Sequence, residues 1–325
     1  MRSRAGGTRH DANLSRAEGT SKSFRRRGKR RAQTVLASLR NCARLLSPPP
    51  HGFARSLGTG KVRLLVCAVA ALLLLLVAVF APMLCPYDPY AQDLSQALMP
   101  PGPVHLAGTD RSGRDLLSRV IMGTRPSVLA SLVLVAIIAA TGTTIGIVAA
   151  WHGGRLDAVL MRVADVFLAF PNLVFALAVA GVLGGGVVNA VIALAVVSWP
   201  KYARLARGLV LSLRQEPYLK ASRLAGCGTL RLVVRHVLPN IAGTLLVTAM
   251  MDVGTMMMEL AALSFLGLGA RPPMAEWGSM MSESRSLLQT APWTVFAPGA
   301  AIFVTVAVFN LLGDAVHDWL DPSRR

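Results

Sequence analysis

Of the 325 residues 53% are apolar, mean hydropathy is +0.51 and only 15% are charged, against about a quarter in a soluble domain. A water-soluble globular fold is excluded, and the chain reads as an all-α integral membrane protein. The formal charge of +18 is concentrated at one end: residues 1–63 hold sixteen Lys or Arg and two Asp or Glu, and the remainder is close to balanced.

Residues 1–61 are rich in Arg, Ser and Gly, and runs such as FRRRGKRR bury too little apolar surface to fold, so they predict a disordered tail. Arg clusters bind phosphate by counterion release, yet no aromatic side chains interleave with these, and the chain enters a bilayer directly afterwards. Contact with membrane lipids fits the tail, and no nucleic-acid partner is expected. The stretch is also too long and too basic for a secretory signal. Cys42, Cys67, Cys85 and Cys227 lack CxxC spacing, which predicts free thiols and neither a disulfide framework nor a zinc site.

Residues 64–84 carry no charge over twenty-one positions, enough for roughly 30 Å of helix. They predict a first span over 62–84 whose start the basic tail holds in the cytoplasm. Residues 85–126 are polar, Pro-rich and mixed in charge, and fall outside. A second span follows at 127–150, and WHGGRLDAVLMR returns two arginines to the cytoplasm. The third runs from about 157 or 166 to 183, interrupted by Pro171 and closed by Gly184, Gly185 and Gly186.

The fourth starts near 187 and passes Pro200 into a basic amphipathic extension, KYARLARGLVLSLR. A fifth at 241–268 carries Asp252 and Glu259, an exterior loop follows, and a sixth begins near 292 and ends near 313. The spans after the first form a five-helix core within 127–318, with 319–325 as a short cytoplasmic tail. Six spans place both termini in the cytoplasm. Arg111, Arg114, Arg119, Arg125, Arg271 and Arg285 then lie outside, and the other twenty-eight basic residues lie inside. Gly142 with Gly146 and Gly181 with Gly185 have the spacing that lets helices approach closely. No internal repeat is visible, which argues against an inverted-repeat secondary transporter.

The cytoplasmic stretch 213–240, LRQEPYLKASRLAGCGTLRLVVRHVLPN, holds five Lys or Arg between two apolar segments. Its grammar predicts a short helical hairpin parallel to the membrane. Gly226 and Gly228 supply the positive φ that ends the first arm, and Pro239 stops the second. Such a surface suits a partner.

Catalytic parts are missing from the sequence. The nearest approach to a phosphate-binding loop, GTGKV at 58–62, has Arg55 where the first Gly belongs and Val62 in place of the hydroxyl. The six histidines form no HExxH, and no Ser sits in GxSxG. Any nucleotide site therefore belongs to another chain. Asp252 and Glu259 are seven apart and share a helical face with Met256. A membrane carboxylate faces a partner or a water-filled path, so these residues either line a translocation path or pair with a neighbouring helix. Met250, Met251, Met256, Met257 and Met258 read as flexible packing.

KASRLAGCGTLRLVVRHVLPN resembles the EAA loop of binding-protein-dependent ABC importer permeases, with Gly226 and Leu238-Pro239 at the family's spacing. GTDRSGRDLLSRVIMGTRPS at 108–127, MRVADVFLAFPN at 161–172, LSFLGLG at 263–269, AEWGSMM at 275–281 and FNLLGDAVHDWLDP at 309–322 look like the second permease of the dipeptide, oligopeptide and nickel importers. The resemblance covers about 62–322 in unbroken order.

It implies the six-helix type I ABC importer permease fold and a heterodimer with a sister permease. It also implies two cytoplasmic ATPase subunits that hold ATP and Mg, and an extracytoplasmic solute-binding protein. No cofactor is implied in this chain, which would not itself be an enzyme. Leu219, Lys220, Ala221, Ser222, Leu224, Ala225, Gly226, His236, Leu238 and Pro239 would form the hairpin that docks on an ATPase and transmits its closure by alternating access. Lys220 stands where the family usually has Glu, Ser222 where it has the second Ala, and His236 where it has Ile. KASRLAG and AMMDVGTMMMELAALSFLGLG look more like the nickel branch than the peptide branch. Two rival classes are an ion-coupled secondary transporter that uses Asp252 and Glu259, and a membrane-bound enzyme.

Overall fold

The uncharged run after residue 63 forms one helix, α1 (Gly60–Leu84), in a computed structural model that describes residues 60–320. The predicted disordered tail up to residue 59 and the last five positions lie outside the described residues. Large apolar side chains such as Leu65, Leu73, Val182 and Phe303 are exposed. Water disfavours such a surface and hydrocarbon does not.

Helix α2 (Leu116–His152) begins well before the span expected at 127, because its polar first turns find partners. Asp115 caps it, Oδ2 accepting from the Ser118 amide at 2.8 Å. Arg119, 1% exposed, pairs with Asp110 at 3.5 Å and Glu283 at 3.8 Å. Arg114 donates to Asp110 at 2.6 Å and to Glu283 at 3.2 Å. The third expected span is two helices, α3 (Gly154–Leu168) and α4 (Asn172–Val182), bent by 90° where Pro171 precedes α4. Helix α5 (Val187–Leu213) continues through Pro200. After a short α6 (Pro217–Leu224), α7 (Thr229–Leu232) leads through a π turn at Val233–Val237 into α8 (Leu238–Phe265). Within the expected exterior loop, α9 (Trp277–Ser284) is capped by Glu276, which accepts from the Gly278 and Ser279 amides at 2.9 Å. Helix α10 (Trp293–Leu320) closes the described chain.

Among the described residues α1, α2, the α7–α8 run and α10 are long and apolar enough to cross a membrane, and α3 with α4 makes a fifth if the bent pair is one span. Helix α5 falls outside that set, against the six spans expected. Its second half carries Lys201, Arg204 and Arg207, which pair with Asp252, Asp165 and Asp157 on neighbouring helices.

Helices α2 and α5 form the main seam, with Leu134 and Ile138 of α2 and Leu194 and Tyr202 of α5 fully buried. The small residues at that seam are required: a Cβ on Gly142 would lie 2.4 Å from the Trp199 carbonyl oxygen, and one on Gly146 2.3 Å from that of Ala203. The other expected pair does not serve this way. A Cβ on Gly181 would meet nothing within 4 Å, and Gly185 is a turn residue with φ +73. Gly146→Leu is therefore expected to destabilise the fold by at least about 2 kcal/mol and to remove the monodisperse peak on size exclusion in detergent. Gly181→Leu should leave that peak in place.

Candidate functional site

The hairpin between α5 and α8 takes its shape from three backbone devices. Pro217 starts α6, its missing N–H being one that no helix would use. Gly226, at φ +81, ends it: the Cys227 amide donates to the Ser222 carbonyl and the Gly226 amide to that of Arg223, both at 3.1 Å. Gly228 has φ −65 and is an ordinary extended residue, so only one of the two expected glycines uses its freedom.

Pro239 does not stop the second arm. It lies in the first turn of α8, and the chain is helical from Thr229 to Phe265. A π turn precedes it, in which the Leu238 amide reaches back to the Val233 carbonyl, and Asn240 Nδ2 donates to the His236 carbonyl at 2.5 Å. The second arm is thus the start of a membrane helix and not a separate helix.

The hairpin has a fixed inner face and a bare outer one. Leu219, Leu232 and Val237 are buried in the main core. The Tyr218 ring lies 6.4 Å from that of half-buried His236, and its hydroxyl accepts from Asn240 at 3.2 Å. At the end of α2 the guanidinium groups of Arg214 and Arg223 lie over Trp151, 5.7 and 5.4 Å from the ring centre, and Arg214 also donates to the Ala150 carbonyl. Lys220, Ala221, Arg223, Ala225, Gly226, Leu238 and Pro239 are exposed at the residue level, Ser222 is half-buried, and Leu224 and Leu230 reach 91% and 77% exposure on either side of the turn. Two bare leucines beside a rigid Gly turn offer a partner an apolar knob within a basic surround.

A second polar group lies deeper, where the bend before α4 meets α5 and α8. Asp252, 3% exposed, accepts from Lys201 Nζ at 2.5 Å. The buried Tyr202 hydroxyl lies beside that carboxylate. Half-buried Glu259 accepts from Asn172 Nδ2 at 2.5 Å, and Asn172 also bonds Ser198 Oγ at 3.1 Å. Met256 between them is buried. Among the described residues no three His, Cys, Asp or Glu side chains gather as a metal site.

Residues 142–325 match the family described as the binding-protein-dependent transport system inner membrane component. The chain belongs to that family. Residues 64–101 also match the N-terminal TM domain of oligopeptide transport permease C. Among its relatives within the inner membrane components are the dipeptide transport system permease protein DppC of Haemophilus influenzae, 41% identical over 80% of this chain and 90% of that one, and the nickel transport system permease protein NikC of Escherichia coli K12, 44% identical over 81% and 94%. A chain of the methionine ABC transporter MetNI, solved in inward-facing conformations, shares the fold at a TM-score of 0.52 and 15% identity, covering 63% of this chain and 98% of that one. The type I permease fold and a multi-pass inner-membrane location follow.

Within this family member the sequence singles out the acids but not their partners. Lys201 reads as part of a basic extension, whereas it reaches a carboxylate on α8. The available signal is reciprocal: a base after fourteen uncharged residues of a helix and an acid inside an apolar run each require a counter-charge. Trp151 and Asn172 carry no such signal, since their roles arise from folding.

Proposed function

We propose that this chain is one of two permease subunits of an ATP-driven importer, forming half of a transmembrane path for nickel or metal chelates or for di- or oligopeptides. Its partners are a sister permease, two ATPase subunits that hold ATP and Mg, a solute-binding protein outside and the surrounding lipid. Six spans result when α3 with α4 counts as one and α5 as another, its charges being paired with acids; both termini are then cytoplasmic. Residues 219–239 dock on an ATPase subunit, and Asp252, Met256 and Glu259 border the path.

The observation that carries this reading is the hairpin: Leu224 and Leu230 stand bare while the residues behind them are locked into the core and onto Trp151 at the end of α2. Closure of an ATPase pair against that knob moves α2 and α8 as rigid bodies. Reconstitution with the sister permease, ATPases and solute-binding protein in proteoliposomes tests it. ATP-dependent accumulation of nickel or dipeptide is expected, whereas uptake driven by a proton gradient without ATP would replace this reading with an ion-coupled one.

A further inference from the structure

The charges around the deep polar group do not cancel. Lys201 and Asp252 are the charged groups that act on Glu259, and Lys201 is engaged with Asp252 at 2.5 Å. Glu259 is left with Asn172, a neutral donor, on Oε2. A carboxylate without a counter-charge inside a bilayer is costly and is retained where a partner of opposite sign arrives.

The backbone around it points the same way. Asn172 is the first residue of α4, directly after the 90° bend, and Ser198 and Glu259 come from two further helices. Broken helices at membrane depth occur where the break is buried in protein or lines a water-filled cavity. Glu259 is only half-buried and the Lys201 side chain is 53% exposed, so this group has an open side.

Resting on the permease role given above, we propose that Glu259 receives a cationic group of the solute as it passes: a peptide ammonium or a metal cation. Asn172 and Ser198 orient the carboxylate, and the Lys201–Asp252 pair keeps the neighbouring base from neutralising it.

The test uses the reconstituted importer with radiolabelled dipeptide in one arm and nickel ion in the other, which separates the two sources of positive charge. Solute moved per ATP hydrolysed is compared for Glu259→Asp, Glu259→Gln and Glu259→Lys. The expected order is wild type, then Asp, then Gln, then Lys. The Gln variant should fall by about tenfold, the size of one charge-assisted contact, and ATPase stimulation by the loaded solute-binding protein should stay within about twofold. A Gln variant that transports as well as wild type overturns the inference. Equal loss of uptake and ATPase activity in Asp and Gln alike also overturns it, by assigning Glu259 a structural role. A wild-type complex that carries neither solute overturns the proposed function itself, and with it the solutes named here.

Discussion

Gly226→Val is expected to abolish solute uptake, and the ATPase stimulation a loaded solute-binding protein gives, while the chain still inserts and accumulates normally. The reason is local. Gly226 sits at φ +81, where an L residue is strained by about 1–2 kcal/mol and a β-branched one most of all. A Cβ there would touch nothing within 4 Å, so core packing does not suffer. The cost falls on the turn. A residue that leaves the left-handed region breaks the two bonds that fold Cys227 and Gly226 back onto Ser222 and Arg223, and Leu224 and Leu230 no longer flank one knob. Gly226→Asn, which tolerates that conformation, should retain most of the uptake. ATP-coupled uptake by the Val variant at the wild-type rate would remove the hairpin from the coupling route.

The parts of this fold legible in the sequence are those set by uninterrupted apolar length and by residues with one strong backbone preference. The first helix follows from twenty-one uncharged positions, and Gly226 ends α6 as its type implies. Legibility fails where charge is cancelled at a distance. Helix α2 starts at Leu116 because Asp110 and Glu283 neutralise Arg119, and Glu283 is far away in sequence. Pro239 misleads for a related reason. A proline inside a helix loses one hydrogen bond and crowds the turn before it, and here the chain passes through a π turn at Val233–Val237 and stays helical beyond Pro239. Within the candidate site the Gly226 turn and the two acids on α8 are readable, whereas the end of the second arm expected at Pro239 is not, since the helix runs on to Phe265. Trp151 is not, because its guanidinium partners meet it only after α5 and α6 have folded back to the end of α2.

The largest stability effect is expected at the Lys201–Asp252 pair, and it should be asymmetric. Asp252 is 3% exposed, so Lys201→Met strands a carboxylate that water cannot reach, at a cost of about 3–5 kcal/mol. The Lys201 side chain is 53% exposed, so Asp252→Leu leaves a base that can turn toward a polar surface, and its cost is smaller. Lys201→Met combined with Asp252→Leu removes both charges and should recover most of the thermal stability lost in Lys201→Met, measured as the unfolding midpoint in detergent. A double variant as unstable as the Lys201→Met single would show that shape rather than charge holds α5 against α8. The same double variant separates stability from transport. If the pair serves only to hold the helices together, uptake returns with stability. If it also keeps Lys201 from neutralising Glu259, the double variant contains no base at position 201 and cationic solutes should still pass, whereas Asp252→Leu alone frees that base toward Glu259 and should transport them more slowly than the double variant does.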